Sequence, residues 1–112
     1  KIINVPGVFE IPVIISKNSY VSKETKIGEG TIIMHNVVIN AKVEIGKNCI
    51  INTKSLVEHD TIIGDHCHVS TGVIINGSCI ILSNTFLGTG SVILNNVKCK
   101  KKIISAGQII KN

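Results

Sequence analysis

Residues 27–46, IGEGTIIMHNVVINAKVEIG, repeat with a period of six residues. An isoleucine occupies every sixth position, and the residue two places before each isoleucine is a threonine or a valine. Because side chains alternate between the two faces of a β-strand, both positions point to the same side. That side carries only small or aliphatic residues, so it is expected to face an interior. The stretch therefore predicts short strands that are joined by regular turns.

The same period continues in both directions from this stretch. Every sixth residue is aliphatic at Ile15, Val21, Ile27, Ile33, Ile39, Ile45, Ile51, Val57, Ile63, Val69, Ile75, Ile81, Leu87 and Ile93. A fixed short period is typical of a β-solenoid. Gly28, Gly46 and Gly64 recur in every third hexapeptide, which predicts that three hexapeptides make one coil of a triangular prism. The predicted fold class is all-β, a parallel β-helix of about five triangular coils.

The two ends of the chain depart from the regular period. Residues 1–14 precede the frame and are predicted to form a lead-in or connector, and residues 15–112 are assigned to the β-helix. The frame slips after Ile93 and regains a repeat-like pattern at Ile104. A short basic loop, Lys98 to Lys102, is therefore expected to interrupt the coil between these two positions.

Composition narrows the possible partners. The chain has 112 residues, of which 44% are hydrophobic but only 3% aromatic, and its net charge is +5. A basic balance admits nucleic acid as a partner. However, the aromatic stacking surface that single-strand binders use is missing, and most lysines are spread singly, so a solvated surface is favoured. No apolar stretch is long enough to cross a membrane, and no signal-peptide pattern is present, so no membrane insertion is predicted.

The chain has four cysteines, which could suggest a disulfide framework. Cys49 and Cys67 are separated by the length of one predicted coil, which places them in one column of small inward residues. They are therefore predicted to be reduced packing residues, as expected in the cytoplasm.

Residues 55–72, SLVEHDTIIGDHCHVSTG, are rich in histidine. In the prism, His59 is predicted at a corner between Ala41 and Gly77, whereas His68 points outward from a different face and Cys67 points inward. Zinc needs four converging ligands, so no metal site is predicted. Two interpretations stay open, surface histidines without a task and a general base in a groove. Because a solenoid has no deep pocket, such a groove would form between the subunits of a three-fold ring.

Residues 51–78, INTKSLVEHDTIIGDHCHVSTGVIINGS, carry a series of short motifs: N-T-x-S, E-H-D, I-G-D, H-V-S-x-G and N-G. With the hexapeptide period, they resemble the left-handed β-helix acyltransferases. The motifs are similar to the branch that includes sialic acid O-acetyltransferases and nucleotide-amino-sugar N-acetyltransferases. The left hand is implied by this resemblance alone, because parallel crossovers in general favour the right hand.

The resemblance implies an acetyl-CoA-dependent transfer of an acetyl group to an amine or hydroxyl of a bacterial sugar. His59 matches the family's general base, and Asp60 is expected to orient it; histidine suits proton removal near neutral pH. The other implied site residues are His68, Gly77 and Gly107 for acetyl-CoA, and Asn52 and Glu58 for the acceptor. The basic loop could meet the CoA phosphates or simply be solvated. A cytoplasmic homotrimer is expected.

The chain also departs from the family. Members of this branch usually carry an N-terminal Rossmann-like domain that binds the sugar, and no such domain is expected in this chain. The chain is thus interpreted as a fragment or a shortened relative. Two alternatives to the sugar acetyltransferase remain: a non-catalytic trimerisation module, and a hexapeptide acetyltransferase with a non-sugar acceptor. The E-H-D segment favours an enzyme, because a scaffold does not need a histidine beside an aspartate at a corner.

Overall fold

The computed structural model describes residues 4–5, 8–9 and 11–112. Its regular elements in these residues are short strands, and none of them is a helix. The strands are β1 (Asn4–Val5), β2 (Val8–Phe9), β3 (Ile14–Ile15), β4 (Tyr20–Val21), β5 (Lys26–Ile27), β6 (Ile32–Ile33), β7 (Val38–Ile39), β8 (Glu44–Ile45), β9 (Ile50–Ile51), β10 (Leu56–Val57), β11 (Ile62–Ile63), β12 (His68–Val69), β13 (Ile74–Ile75), β14 (Ile80–Ile81), β15 (Phe86–Leu87), β16 (Val92–Ile93), β17 (Lys98–Cys99), β18 (Ile103–Ile104) and β19 (Ile109–Ile110).

Three parallel sheets form the walls of a prism. The first wall contains β3, β6, β9, β12, β15 and β18, the second β4, β7, β10, β13, β16 and β19, and the third β5, β8, β11, β14 and β17. Neighbouring strands in a wall are one coil apart, as in the pairing of Leu56 with Val38 and Ile74. This topology confirms the predicted all-β solenoid of about five triangular coils. The first corner joins the first and second walls, the second corner joins the second and third, and the third corner joins the third and first.

The antiparallel pair β1–β2 lies at the N-terminal end of the chain. It falls within the predicted lead-in of residues 1–14, of which residues 1–3, 6–7 and 10 lie outside the described part of the structure. The first strand of the prism is β3, which pairs with β6.

The interior is filled by the repeating positions that the sequence singled out. From Ile33 to Ile93 the aliphatic residue of every hexapeptide is at most 4% exposed. In the first coil, Ile15 is 45% exposed. Some of the small inward residues form hydrogen bonds with backbone groups at the corners. Thr31 Oγ1, for example, donates to the carbonyl of Gly46 at 2.7 Å and accepts the N–H of Cys49 at 3.0 Å.

Two residues of each hexapeptide make the turn at a corner, and the second usually has a positive φ. Asparagine, aspartate and glycine tolerate this backbone region best. The non-glycine residues with positive φ are Asn36, Lys42, Asn48, Lys54, Asp60, His66, Ser78, Asn84 and Asn96. The first turn position therefore has an ordinary backbone conformation, whereas the second has a left-handed one. Side chains at the two positions start in different directions.

The predicted interruption of the coil after Ile93 is wrong in its position and extent. Strand β17 stays in the regular register, because Cys99 pairs with Ile81, a full coil of three hexapeptides earlier. The following turn is shorter, since Ile104 pairs with Leu87 and the coil between them lacks a single residue. Lys102 takes the sequence place of the small inward residue there, and its Nζ donates to the carbonyl of Ser83 at 2.7 Å. The basic segment thus shortens a corner without breaking the wall.

The outward faces of the walls differ in character. The first wall presents Ile14, Ile32, Ile50, His68, Phe86 and Ile103, and the second presents Tyr20, Val38, Leu56, Ile74, Val92 and Ile109. The third wall presents charged residues at Lys26, Glu44 and Lys98 beside two isoleucines. No helix in the described part of the chain is long and apolar enough to span a membrane.

Candidate active site

His59 and Asp60 form the second corner between β10 and β11. The His59 Nδ1 lies 2.9 Å from the Asp60 Oδ2, and both side chains are more than half exposed. An exposed pair of this kind adds little to stability, so its main effect is on the ring's orientation and tautomer. A carboxylate accepts a hydrogen bond from Nδ1–H, which leaves the unprotonated nitrogen at Nε2. The corner can therefore present a base.

The His59 ring lies directly against Gly77, one coil further along the second corner. A Cβ on Gly77 would stand 2.6 Å from the His59 Nε2 and 2.7 Å from its Cε1, so only glycine leaves room for the ring. The backbone around the ring is fixed by two hydrogen bonds: Ser78 N–H donates to the His59 carbonyl at 2.9 Å, and Asp60 N–H donates to the Ala41 carbonyl at 3.0 Å. The structure thus brings His59, Asp60 and Gly77 together, with Nε2 beside the Gly77 backbone.

Glu58 extends this group on the outward side of the second wall. Its Oε1 accepts a hydrogen bond from the Asn40 Nδ2 at 2.7 Å. Asn40 is not among the residues that the sequence predicts for the site. The signal is nevertheless present in the sequence, because Asn40 and Glu58 are separated by one coil length and so are neighbours in adjacent coils.

His68 lies on the first wall and does not approach His59 around the same coil. It points outward between Ile50 and Phe86, and its ring meets the Phe86 ring edge-on at a centroid distance of 5.3 Å. Its Nε2 is buried, with no hydrogen-bond partner among the described residues. Buried polar atoms are nearly always paired in native structures, with protein groups or ordered water, so this nitrogen is open to a further hydrogen-bond partner.

Asn52 and Gly107 are also separated from His59. Asn52 follows β9 at the first corner, where its Oδ1 accepts the N–H of Thr53 at 2.7 Å. Gly107 has a φ of 73° in a turn of the same corner, and its N–H donates to the Thr89 carbonyl. A single chain therefore does not bring all the predicted acetyl-CoA and acceptor residues into one cleft.

The remaining histidines belong to other turns. His66 occupies the positive-φ position of the third corner, and His35 lies at the first corner with its Nδ1 2.6 Å from the Ser16 Oγ. Within residues 11–112, no three His, Cys, Asp or Glu side chains are grouped closely enough to hold a metal ion. The histidine-rich segment is thus distributed over several turns and walls.

All four cysteines are free thiols in the interior, which confirms the predicted packing role of Cys49 and Cys67. The two thiols are neighbours in one column. The neighbouring Cys49 thiol lowers the pKa of Cys67 to about 7, and the Cys67 thiol together with burial raises the pKa of Cys49. Burial also raises the pKa of Cys79 and Cys99.

Comparison with known proteins identifies the repeat. Residues 24–59 match the family described as bacterial transferase hexapeptide (six repeats). No curated protein matches the chain at a significant level.

Two solved structures combine this fold with detectable sequence identity. A variant of perosamine N-acetyltransferase from Caulobacter crescentus, in complex with CoA and GDP-perosamine, is 29% identical over 91% of this chain and 49% of its own, with a TM-score of 0.88. The acetyltransferase domain of PglB from Neisseria gonorrhoeae is 26% identical over 91% of this chain and 50% of its own, with a TM-score of 0.86. The chain thus spans about half the length of each.

A third structure shares the fold alone. AntD, an N-acyltransferase from Bacillus cereus, is 15% identical over 89% of this chain and 73% of its own, with a TM-score of 0.73. Together with the match at residues 24–59, these likenesses confirm that the chain resembles the hexapeptide-repeat acyltransferases, as its sequence predicts.

Proposed function

We propose that the chain is the catalytic β-helix of an acetyl-CoA-dependent acetyltransferase that modifies a sugar, with a nucleotide-linked amino sugar as the preferred acceptor. The observation that carries this proposal is the second corner, where Asp60 orients the His59 ring and Gly77 leaves room for it. The similar perosamine N-acetyltransferase binds CoA and GDP-perosamine, which supports both the donor and the class of acceptor. A sialic acid hydroxyl is the alternative acceptor.

The proposed reaction is a direct transfer. The acceptor nitrogen attacks the carbonyl carbon of the acetyl thioester while the His59 Nε2 takes its proton. The carbon–sulfur bond then breaks, and the proton passes from His59 to the leaving CoA sulfur. A backbone N–H at the Gly77 edge is a candidate donor to the oxyanion that forms on the thioester oxygen. Asp60 takes no proton; it holds Nδ1–H so that the free lone pair is at Nε2.

We further propose that the active chain is a homotrimer. The first and second walls leave large apolar side chains on their outward faces, with Ile103 70% and Tyr20 57% exposed. Such faces are typical of surfaces that become covered on assembly. A three-fold ring would place the first wall of one chain beside the second corner of the next. His68, whose Nε2 lacks a partner among the described residues, would then join the acetyl-CoA groove.

We propose that the remaining predicted residues also line this groove. Gly77 places its backbone beside the His59 ring and the acetyl-CoA thioester, and Gly107 leaves the backbone open to acetyl-CoA. Asn52 and Glu58 contact the acceptor. The lysines at 98 and 100–102 offer positive charge to the CoA phosphates. The four buried free thiols are consistent with a reducing compartment, which supports the cytoplasm as the location.

The test is a transfer assay on the full-length gene product with acetyl-CoA and GDP-perosamine. His59→Ala should lower kcat by about two to four orders of magnitude, because the general base is lost. Wild-type rates in this variant would remove His59 as the base. Acetyl-CoA should also raise the melting temperature, since a ligand that binds only the folded state stabilises it. If acetyl-CoA leaves the melting temperature unchanged, a non-catalytic scaffold becomes the better interpretation.

A further inference from the structure

The second wall carries a polar row beside the His59 corner. Asn40, Glu58 and Asn76 follow the paired strands β7, β10 and β13, so they are neighbours in successive coils. Glu58 directly precedes His59, and Asn76 directly precedes Gly77, on which the His59 ring lies. The row therefore runs alongside the base, on the side of the second wall.

Within this row, Glu58 is held from one side only. Asn40 Nδ2 donates to the Glu58 Oε1 at 2.7 Å, whereas the Oε2 has no hydrogen-bond partner among the described residues. The backbone of the row is fixed as well, because Asn40 N–H donates to the Val57 carbonyl and Glu58 N–H to the Ile75 carbonyl. One carboxylate oxygen is thus anchored and the other is available to a ligand.

The two carboxylates beside His59, those of Asp60 and Glu58, have different hydrogen-bond partners and therefore different roles. Asp60 engages the His59 Nδ1 and so serves the base. Glu58 engages Asn40 and makes no contact of hydrogen-bond length with the His59 ring in the structure. A carboxylate oxygen accepts only, so its ligand must carry a donor, such as the amine or a hydroxyl of a sugar.

We propose that Asn40 is a positioning residue that presents Glu58 to the acceptor, so that the Glu58 Oε2 binds an N–H or O–H group of the amino sugar beside His59. This inference rests on the proposed function and adds to it the residue that organises acceptor binding. Anchoring one oxygen removes side-chain freedom before the acceptor arrives, which is how pre-organised sites gain affinity. Asn40 acts through Glu58 and does not itself touch the reacting atoms.

The experiment measures equilibrium binding of GDP-perosamine to the full-length protein by calorimetry, so that it does not depend on turnover. In Asn40→Asp, a second carboxylate faces Glu58 in place of the amide donor. We expect the Kd for GDP-perosamine to rise about tenfold. The Kd for acetyl-CoA should stay within about twofold of the wild-type value.

Asn18→Asp is the matched control. It makes the same chemical change at an exposed turn of the first corner, away from Glu58, and should leave binding unchanged. The pair Asn40→Asp with Glu58→Gln reverses the hydrogen bond, because the glutamine amide donates to the aspartate and its carbonyl oxygen remains to accept from the sugar. It should restore the melting temperature and return the Kd for GDP-perosamine toward the wild-type value. A restored melting temperature with a Kd that stays at the Asn40→Asp value would overturn the proposed positioning role.

The outcomes separate this inference from the proposed function. If His59→Ala binds GDP-perosamine normally but transfers no acetyl group, the function stands, and Asn40→Asp then tests the row alone. Wild-type affinity in Asn40→Asp would overturn the inference. The same holds if GDP-perosamine fails to bind the wild-type protein, or if Asn40→Asp weakens acetyl-CoA and GDP-perosamine equally. If the wild-type protein binds GDP-perosamine in an Asn40-dependent way but transfers no acetyl group, the proposed reaction is overturned and the acceptor row is not.

Discussion

Two neighbouring corners of one coil contain the same pair of residue types in opposite order. The second corner has His59 followed by Asp60, and the third has Asp65 followed by His66. At the second corner the histidine ring lies on Gly77 with the aspartate on its Nδ1. At the third, the Asp65 Oδ1 accepts the Lys47 N–H at 2.8 Å, and His66 occupies the positive-φ position without a hydrogen bond to Asp65.

The difference shows that position within the turn decides what a histidine can do. At the first turn position the ring can lie along the corner against the next coil. At the second position, the left-handed backbone directs the side chain elsewhere, and Asn48 and Asn84 occupy the equivalent places in adjacent coils. The third corner thus uses its aspartate to satisfy a backbone N–H, whereas the second corner leaves its aspartate to orient the proposed base, His59.

Exchanging the two residues of the second corner should have the largest effect. The double variant His59→Asp with Asp60→His gives this corner the order of the third corner. We expect acetyl transfer to fall by about two to four orders of magnitude, because no imidazole then lies on Gly77. The melting temperature should change little, since the third corner tolerates both residue types in this order. Initial rates and thermal unfolding of the same preparation check both statements.

His66→Asn is the matched control for this exchange. It installs the residue type found at Asn48 and Asn84 and should leave both kcat and stability at wild-type values. A loss of activity in His66→Asn that equals the loss in the exchange variant would show that the two corners are functionally equivalent, contrary to the comparison.

Gly77→Ala should have the next largest effect. The added Cβ would stand 2.6 Å from the His59 Nε2, so the exposed ring must swing away from its position. Because a displacement of about 1 Å can lower a rate on the order of 10²-fold, we expect a loss of that size in kcat. Crystal structures of the variant should show a different His59 rotamer with the coil intact. Unchanged kcat would mean that the ring's place on Gly77 is not the reactive one.

Asp65→Ala should affect stability alone. It removes the carboxylate that accepts the Lys47 N–H, a bond typically worth about 1 kcal/mol. The free energy of unfolding in urea should fall by about this amount, while the KM values and kcat remain those of the wild-type protein. A fall in kcat at unchanged stability would assign the third corner a part in catalysis.

The sequence predicts the prism well because its period is strict. Each interior column repeats with the coil, so burial at Ile33 or Ile75 follows from spacing alone. The same spacing places His59 beside Gly77. It does not fix the slip near β17, because the consecutive lysines from Lys100 to Lys102 carry no alternation from which a shortened turn could be read.

The candidate site was only partly predictable for a different reason. Motifs identify residues that meet a ligand, whereas Asn40 meets only another side chain, across a coil, and has no motif of its own. Its hydrogen bond to Glu58 depends on the rotamers of the two side chains. The six-residue period makes the two residues neighbours but does not determine these rotamers. His68 shows the converse case, since its motif is recognisable but its position on the first wall keeps it away from His59 within the chain.

The smallest expected effect concerns the interior of the prism, away from both corners. It is a loss of stability that appears only at alkaline pH. Burial raises the pKa of Cys79, so above the ordinary range of a thiol the folded state keeps a proton that the unfolded chain loses. Folded protein then binds more protons than unfolded protein, and stability must fall as pH rises, by at most about 1.4 kcal/mol per pH unit for this group. Cys99 acts in the same direction.

Cys79→Val tests this, because valine occupies two other places, Val43 and Val97, in the same column. The free energy of unfolding, measured in urea from about pH 8 to about pH 10, should fall less steeply in the variant than in the wild-type protein. Transfer activity at neutral pH should be the same in both, since the thiol lies inside the prism and the proposed reaction takes place on the outside of its second corner. Parallel stability curves would show that the Cys79 thiol is not responsible for alkaline destabilisation.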